Sequence, residues 1–121
     1  MNPSLRGKRI LVVEDEFVTG ELLRRCIEGA GGIAIGPAST AEAAIDLAVR
    51  EQPHAVLLDV SLLAGSSVQV VRHLKASGVP YAVLTGHAAA SLPAELQAAL
   101  CLEKPIAPGP LVAVLAGLVS G

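Results

Sequence analysis

At 121 residues the chain has about the size of one domain, and it can bury an aliphatic core without disulfides or metal staples. With 52% hydrophobic, 2% aromatic and 17% charged residues it is too apolar to stay disordered. A formal net charge of −2, with lysines and arginines placed singly or in pairs, offers no electrostatic footprint for nucleic acid or anionic lipid.

The amino end, MNPSLRGKR, is basic, but the apolar run after it is broken at once by Glu14, Asp15 and Glu16, so it does not read as a signal peptide. Arg9 to Val13 is a short β-branched run without polar alternation, as expected of a parallel strand covered on both faces. Phe17 to Ala30 places Val18, Leu22, Leu23, Cys26, Ile27 and Ala30 on one helical stripe, and Gly31-Gly32 stops it. Ile33 to Ile35 is a brief second strand. Ser39 to Glu42 has capping-box spacing and opens a helix that turns Ala44, Ile45, Ala48 and Val49 inward and ends before Pro53. Ala55 to Asp59 is a third strand, and Ser66 or Ser67 to Ala76 a third helix. Gly78-Val79-Pro80 turns the chain into a fourth strand, Tyr81 to Leu84. A weaker helix near Pro93 to Leu100, a minimal strand at Cys101-Leu102 and a last helix opened by Pro108 and Pro110, running to about Val119, complete five strand-helix units. That last segment is apolar but well short of the roughly 20 residues of a membrane span. Cys26 and Cys101 are isolated thiols without metal-ligand spacing, as expected in a reducing cytoplasm.

Strands alternating with helices predict a single α/β domain over 1–121, with a doubly wound parallel sheet and its crevice at the carboxyl ends of the strands. The polar residues converge there. Glu14 and Asp15 follow the first strand, Asp59 ends the third, Thr85 follows the fourth and Lys104 the fifth. Three carboxylates this close would repel by several kcal/mol in a partly desolvated cleft, which implies a cation. All-oxygen ligands suit Mg²⁺. Lys104 can pair with Asp59 or with an anionic oxygen of a ligand, and Thr85 can donate to that same anion. Together they describe a carboxylate nucleophile equipped to receive a phosphoryl group.

Glu14-Asp15, Asp59, Thr85-Gly86 and Lys104-Pro105, in this order and at these strand ends, resemble the CheY-like receiver domain of two-component response regulators over the whole chain. The resemblance implies a (βα)5 flavodoxin-like sandwich with strand order 2-1-3-4-5. It implies that Asp59 is the phosphoacceptor and that Glu14, Asp15, Asp59 and the backbone carbonyl of Ser61 hold Mg²⁺. It further implies Thr85 as the switch hydroxyl, Lys104 as the phosphate-contacting lysine and a cis bond before Pro105. The loop DVSLLAGSSV and the Thr-Gly pair are similar to receivers of the FAT GUY group. Two departures stand out: Leu63 replaces a customary proline, and Cys101 stands where receivers carry an aromatic residue that reports the movement of the threonine. The loop from Gly86 to Ser91 is then the expected route of the signal.

His87 reads either as a modulator of phosphoaspartate hydrolysis or as an ordinary exposed loop histidine. Glu16 reads as a first-turn acid favoured by the helix dipole. Arg24 and Arg25 read as solvated residues, with docking of a donor helix as the alternative. Beyond Lys75 the only charged side chains are Glu95, Glu103 and Lys104. The outer face of the helix from Leu111 to Val119 is therefore expected to be apolar; the resemblance implies that the fourth helix, fifth strand and fifth helix form the signalling face, which would meet a protein partner or a second copy.

The function expected is a cytoplasmic phosphorylation-activated switch, charged by a histidine kinase or phosphotransfer protein, with no direct contact to nucleic acid or membrane. With no effector domain in these 121 residues, it would signal by protein contact unless it is a fragment of a longer protein. It would be regulatory rather than enzymatic, capable at most of self-phosphorylation and slow autodephosphorylation. The alternative is a pseudo-receiver adaptor that works without phosphorylation, which Cys101 favours and the complete acidic site disfavours. A haloacid-dehalogenase-like phosphatase needs a second aspartate where Ser61 stands, and a dinucleotide binder needs a glycine-rich loop after the first strand; neither is present.

Overall fold

The computed structural model describes residues 4–59, 64–85, 100–103 and 107–120. β1 (Arg9–Val13), β2 (Ile33–Ala38), β3 (Ala55–Asp59), β4 (Tyr81–Thr85) and β5 (Leu100–Glu103) form one sheet in the order β2-β1-β3-β4-β5. Every pairing is parallel. The expected doubly wound order is the one observed. β3 is buried at all five positions, and β1 and β4 at all but their first, which is why these segments read as unbroken apolar runs.

The sheet divides the interior into two cores. On one face α2 (Ala41–Glu51) and α3 (Ala64–Ser77) cover Leu11, Val56, Leu58 and Val83. On the other, α1 (Phe17–Gly29) and the C-terminal helix (Pro108–Ser120) cover Ile10, Val12, Leu57 and Leu84. Among the described residues no helix is long and apolar enough to cross a membrane.

The structure corrects several sequence expectations. β2 continues past Ile35 to Ala38: Leu11 pairs with Ile35 but Val13 with Ala38, so Gly36 and Pro37 together oppose Val12. Gly36 has φ +92, and a Cβ there would meet Ala38 N at 2.7 Å and Val12 O at 2.8 Å, which only glycine avoids. The Gly36–Pro37 peptide is cis; the cis bond expected before Pro105 lies outside the described residues.

α1 is rotated from its expected stripe. Gly20, Leu23 and Ile27 are buried, whereas Val18 and Leu22 are 64% and 57% exposed. Gly20 is the reason: a Cβ there would come within 2.8 Å of Pro37 Cγ, so the bare backbone lets the end of β2 settle against this face of the helix. Thr40, not Ser39, caps α2, its hydroxyl accepting from Ala43 N–H at 3.1 Å, and Val49 is exposed rather than inward. α3 begins at Ala64, earlier than expected, and Thr85 and Glu103 extend β4 and β5. The helix expected near Pro93 to Leu100 lies outside the described residues, except that Leu100 begins β5.

Candidate functional site

β1, β3 and β4 deliver their polar residues to one edge of the sheet because their registers are nearly level. Val13 faces Leu58, Asp59 faces Leu84, and Thr85 faces Glu103. Glu14 therefore leaves β1 beside the end of β3, and Thr85 ends β4 one step beyond Asp59's partner.

Glu14 and Asp59 are only 4% and 2% exposed, and Thr85 is fully buried, whereas Asp15 is exposed. Backbone bonds fix Glu14: its N–H donates to Ala38 O at 2.9 Å, and its Oε1 accepts the Glu16 N–H at 2.9 Å. The second bond ties the carboxylate to the start of α1, where Glu16 is the N-cap rather than a first-turn acid. Sequence reasoning missed the supporting contact beneath: the Gly20 face of α1, Pro37 and the Glu14 side chain meet here. The Gly-Pro pair after an apolar run was its only signal.

Glu14, Asp59 and Thr85 all interact with their surroundings. Among the described residues no three carboxylate, imidazole or thiol groups converge tightly enough to hold a metal ion by themselves. The carboxylates of Glu14, Asp15 and Asp59 are hard oxygen donors of the kind Mg²⁺ takes, with waters completing its shell, but they are not gathered here as a three-group site. Ser61, Leu63, His87, Lys104 and Pro105 lie outside the described residues.

Thr85 and Cys101 share a face of the sheet. Thr85 is two residues from Val83, which pairs with Cys101, and both Val83 and Cys101 pack toward α2 and α3. Cys101 is half-buried beside Tyr81. Burial pushes its thiol above the ordinary value, and it raises the Tyr81 hydroxyl too, with Cys101 adding to that effect.

Next to the acidic edge, α1 presents an apolar surface that includes Val18 and Leu22, which were expected inside. Phe17, the only phenylalanine of the chain, is 80% exposed and adjoins Val18 and Leu22. Behind them an open groove of about 710 Å³ runs between α1 and the C-terminal helix, lined by Leu22, Arg25, Cys26, Ala30, Gly109 and Val112. Arg24 is clamped between Glu21 at 2.8 Å and Glu28 at 2.9 Å, whereas Arg25 forms no ion pair among the described residues. Hydrogen bonding to Arg24 holds Glu21 below the usual carboxylate range.

The sequence matches the response regulator receiver domain family over residues 10–116. The chain belongs to that family. This receiver is 37% identical over 79 residues to the response regulator MprA of Mycolicibacterium vanbaalenii, a match covering 64% of this chain and 34% of that protein. It thus spans about a third of the length of the curated relatives it matches. Among solved structures it resembles SdrG of Pseudomonas melonis in its BeF3-activated conformation, at 29% identity and TM-score 0.77, covering 96% of this chain and 98% of that one. A CheY-like receiver domain from Methylobacillus flagellatus matches with TM-score 0.78 at 23% identity, over 92% of this chain and 98% of the other. The receiver is a regulatory domain of two-component systems.

Proposed function

We propose that this receiver, taken as one unit over 1–121, is a phosphorylation-activated switch in which Asp59 accepts a phosphoryl group from a histidine kinase or phosphotransfer protein. The observation that carries the reading is the Asp59 carboxylate, 2% exposed at the end of β3, with the buried Glu14 leaving β1 beside it. In the transfer an Asp59 oxygen attacks phosphorus, the P–N bond of the donor histidine breaks, and that imidazole leaves with the electron pair and takes up a proton. Glu14, Asp15, Asp59 and the Ser61 carbonyl would hold Mg²⁺, which neutralises charge on the transferring oxygens when bound. Lys104 would contact the phosphoryl group. Thr85 would donate its hydroxyl to the new anion, and the displacement would pass to Cys101 on the same sheet face and to the loop that contains His87.

The exposed apolar surface of Phe17, Val18 and Leu22, next to the acid pair, supports contact with a donor protein at this edge. Output would pass through the face of the fourth helix, β5 and the C-terminal helix. No charged side chain follows Lys104, and Ala113 and Gly117 are exposed there. A cytoplasmic setting follows from the donor class, and kinship with the FAT GUY group rests on the Thr85-Gly86 pair and the loop after Asp59.

Mass spectrometry after incubation with a small acyl phosphate and Mg²⁺ tests the reading. Wild type should gain one phosphate and Asp59→Asn none; failure of wild type to gain it would favour an adaptor that works without phosphorylation. With beryllofluoride as the phosphoryl mimic, Thr85→Ala should still take up the probe but lose the NMR shift changes at Val83 and Cys101. Shift changes of wild-type size at Val83 and Cys101 in that variant would refute the proposed coupling.

A further inference from the structure

The end of β3 remote from Asp59 holds a titratable group that the proposed switch does not use. His54, just before β3, exchanges two hydrogen bonds with Arg9 at the start of β1. The His54 N–H donates to Arg9 O at 2.8 Å, and the Arg9 N–H donates to the imidazole Nδ1 at 2.9 Å. Here a side chain occupies the place of a strand carbonyl. Acceptance at Nδ1 requires the neutral ring with its proton on Nε2. The Arg9 guanidinium completes the junction: Nε donates to Glu51 O at 3.2 Å and Nη2 to Gln52 O at 2.8 Å. These are carbonyls at the C-terminal end of α2, where Gln52 turns into the left-handed region at φ 47.

We propose that His54 is a pH-sensitive clasp, fastening the amino end of β3 and the α2–β3 turn to β1 when its ring is neutral and releasing them when the ring is charged. A protonated Nδ1 is a donor and cannot accept the Arg9 N–H, so the bond that closes the reciprocal pair is lost and the amide loses its acceptor. The charges that act on the ring are those of Lys8 and Arg9, both cationic. The acid nearest in sequence, Glu51, offers Arg9 its backbone carbonyl, not its carboxylate. Burial first, then Arg9 and Lys8, hold the imidazole below its ordinary value in the folded state. Because the unfolded chain then takes up the proton more readily, the clasp's stabilisation is complete above the ordinary histidine pKa and declines as pH falls through the lower folded value.

The test compares wild type with His54→Asn, whose Oδ1 stands about where Nδ1 does but does not titrate. Between about pH 7.5 and about pH 5.5 the thermal midpoint of wild type should fall by about 3 °C more than that of the variant. Over the same interval, hydrogen exchange at the Arg9 amide should accelerate in wild type alone. Parallel midpoint curves for the two proteins would overturn the proposal. So would an NMR titration of the wild-type ring that places His54 at or above the ordinary histidine value, a measurement that does not depend on the variant folding.

Discussion

The two ends of β3 solve the same problem in opposite ways. At the amino end the polar groups of Arg9 and His54 are matched donor to acceptor, and the guanidinium is spent on carbonyls of the α2 terminus. At the carboxyl end two acids, Glu14 and Asp59, are buried where β1 and β3 run out side by side. A matched end serves the fold. An end that gathers like charges costs stability and makes sense as a place where something cationic or phosphorylated is to be received.

The largest effect should come from removing one of the like charges. Without metal, Asp59→Asn should raise the thermal midpoint by about 3 °C, measured by circular dichroism, because it relieves repulsion at the buried edge. A fall of similar size would mean that the acidic end is as well compensated as the amino end, and the contrast would fail. Next, Asp15→Asn should weaken Mg²⁺ binding roughly tenfold in a calorimetric titration, about 1.4 kcal/mol, while leaving the midpoint of the metal-free protein almost unchanged, since Asp15 is exposed. The smallest change belongs to the matched end. Arg9→Ala should cost about 1 kcal/mol in urea unfolding by deleting two hydrogen bonds to the α2 terminus, and should move the His54 pKa up toward its ordinary value.

The carboxyl end was legible in the sequence, and the amino end was not. Asp59, Thr85 and the Glu14-Asp15 pair each end an apolar run, so their place follows from the alternation of strand and helix along the chain. Nothing in the sequence singled out His54, since its partner lies 45 residues away and is a backbone N–H. The same limit explains α1. The periodicity of Val18, Leu22 and Cys26 is as good a helical stripe as that of Gly20, Leu23 and Ile27. What decides between them is the approach of Pro37, which no local pattern reveals. The second strand was expected to end at Ile35, but it continues through Gly36 and Pro37 as a bulge because glycine accepts the positive φ. That Cys101 stands in place of the aromatic readout was visible in sequence, while its neighbourhood with Tyr81 and its sharing of a face with Thr85 came from the structure.

The sheet also acts as an insulator. Leu57 and Leu58 are chain neighbours, yet they pack in different cores, one under α1 and the C-terminal helix and the other under α2 and α3. Crosstalk between those layers must run along backbone or around an edge. By strand alternation Asp59 belongs with Leu57 and Thr85 with Val83, so the carboxyl edge is a junction where chemistry on one side of the partition can be felt on the other.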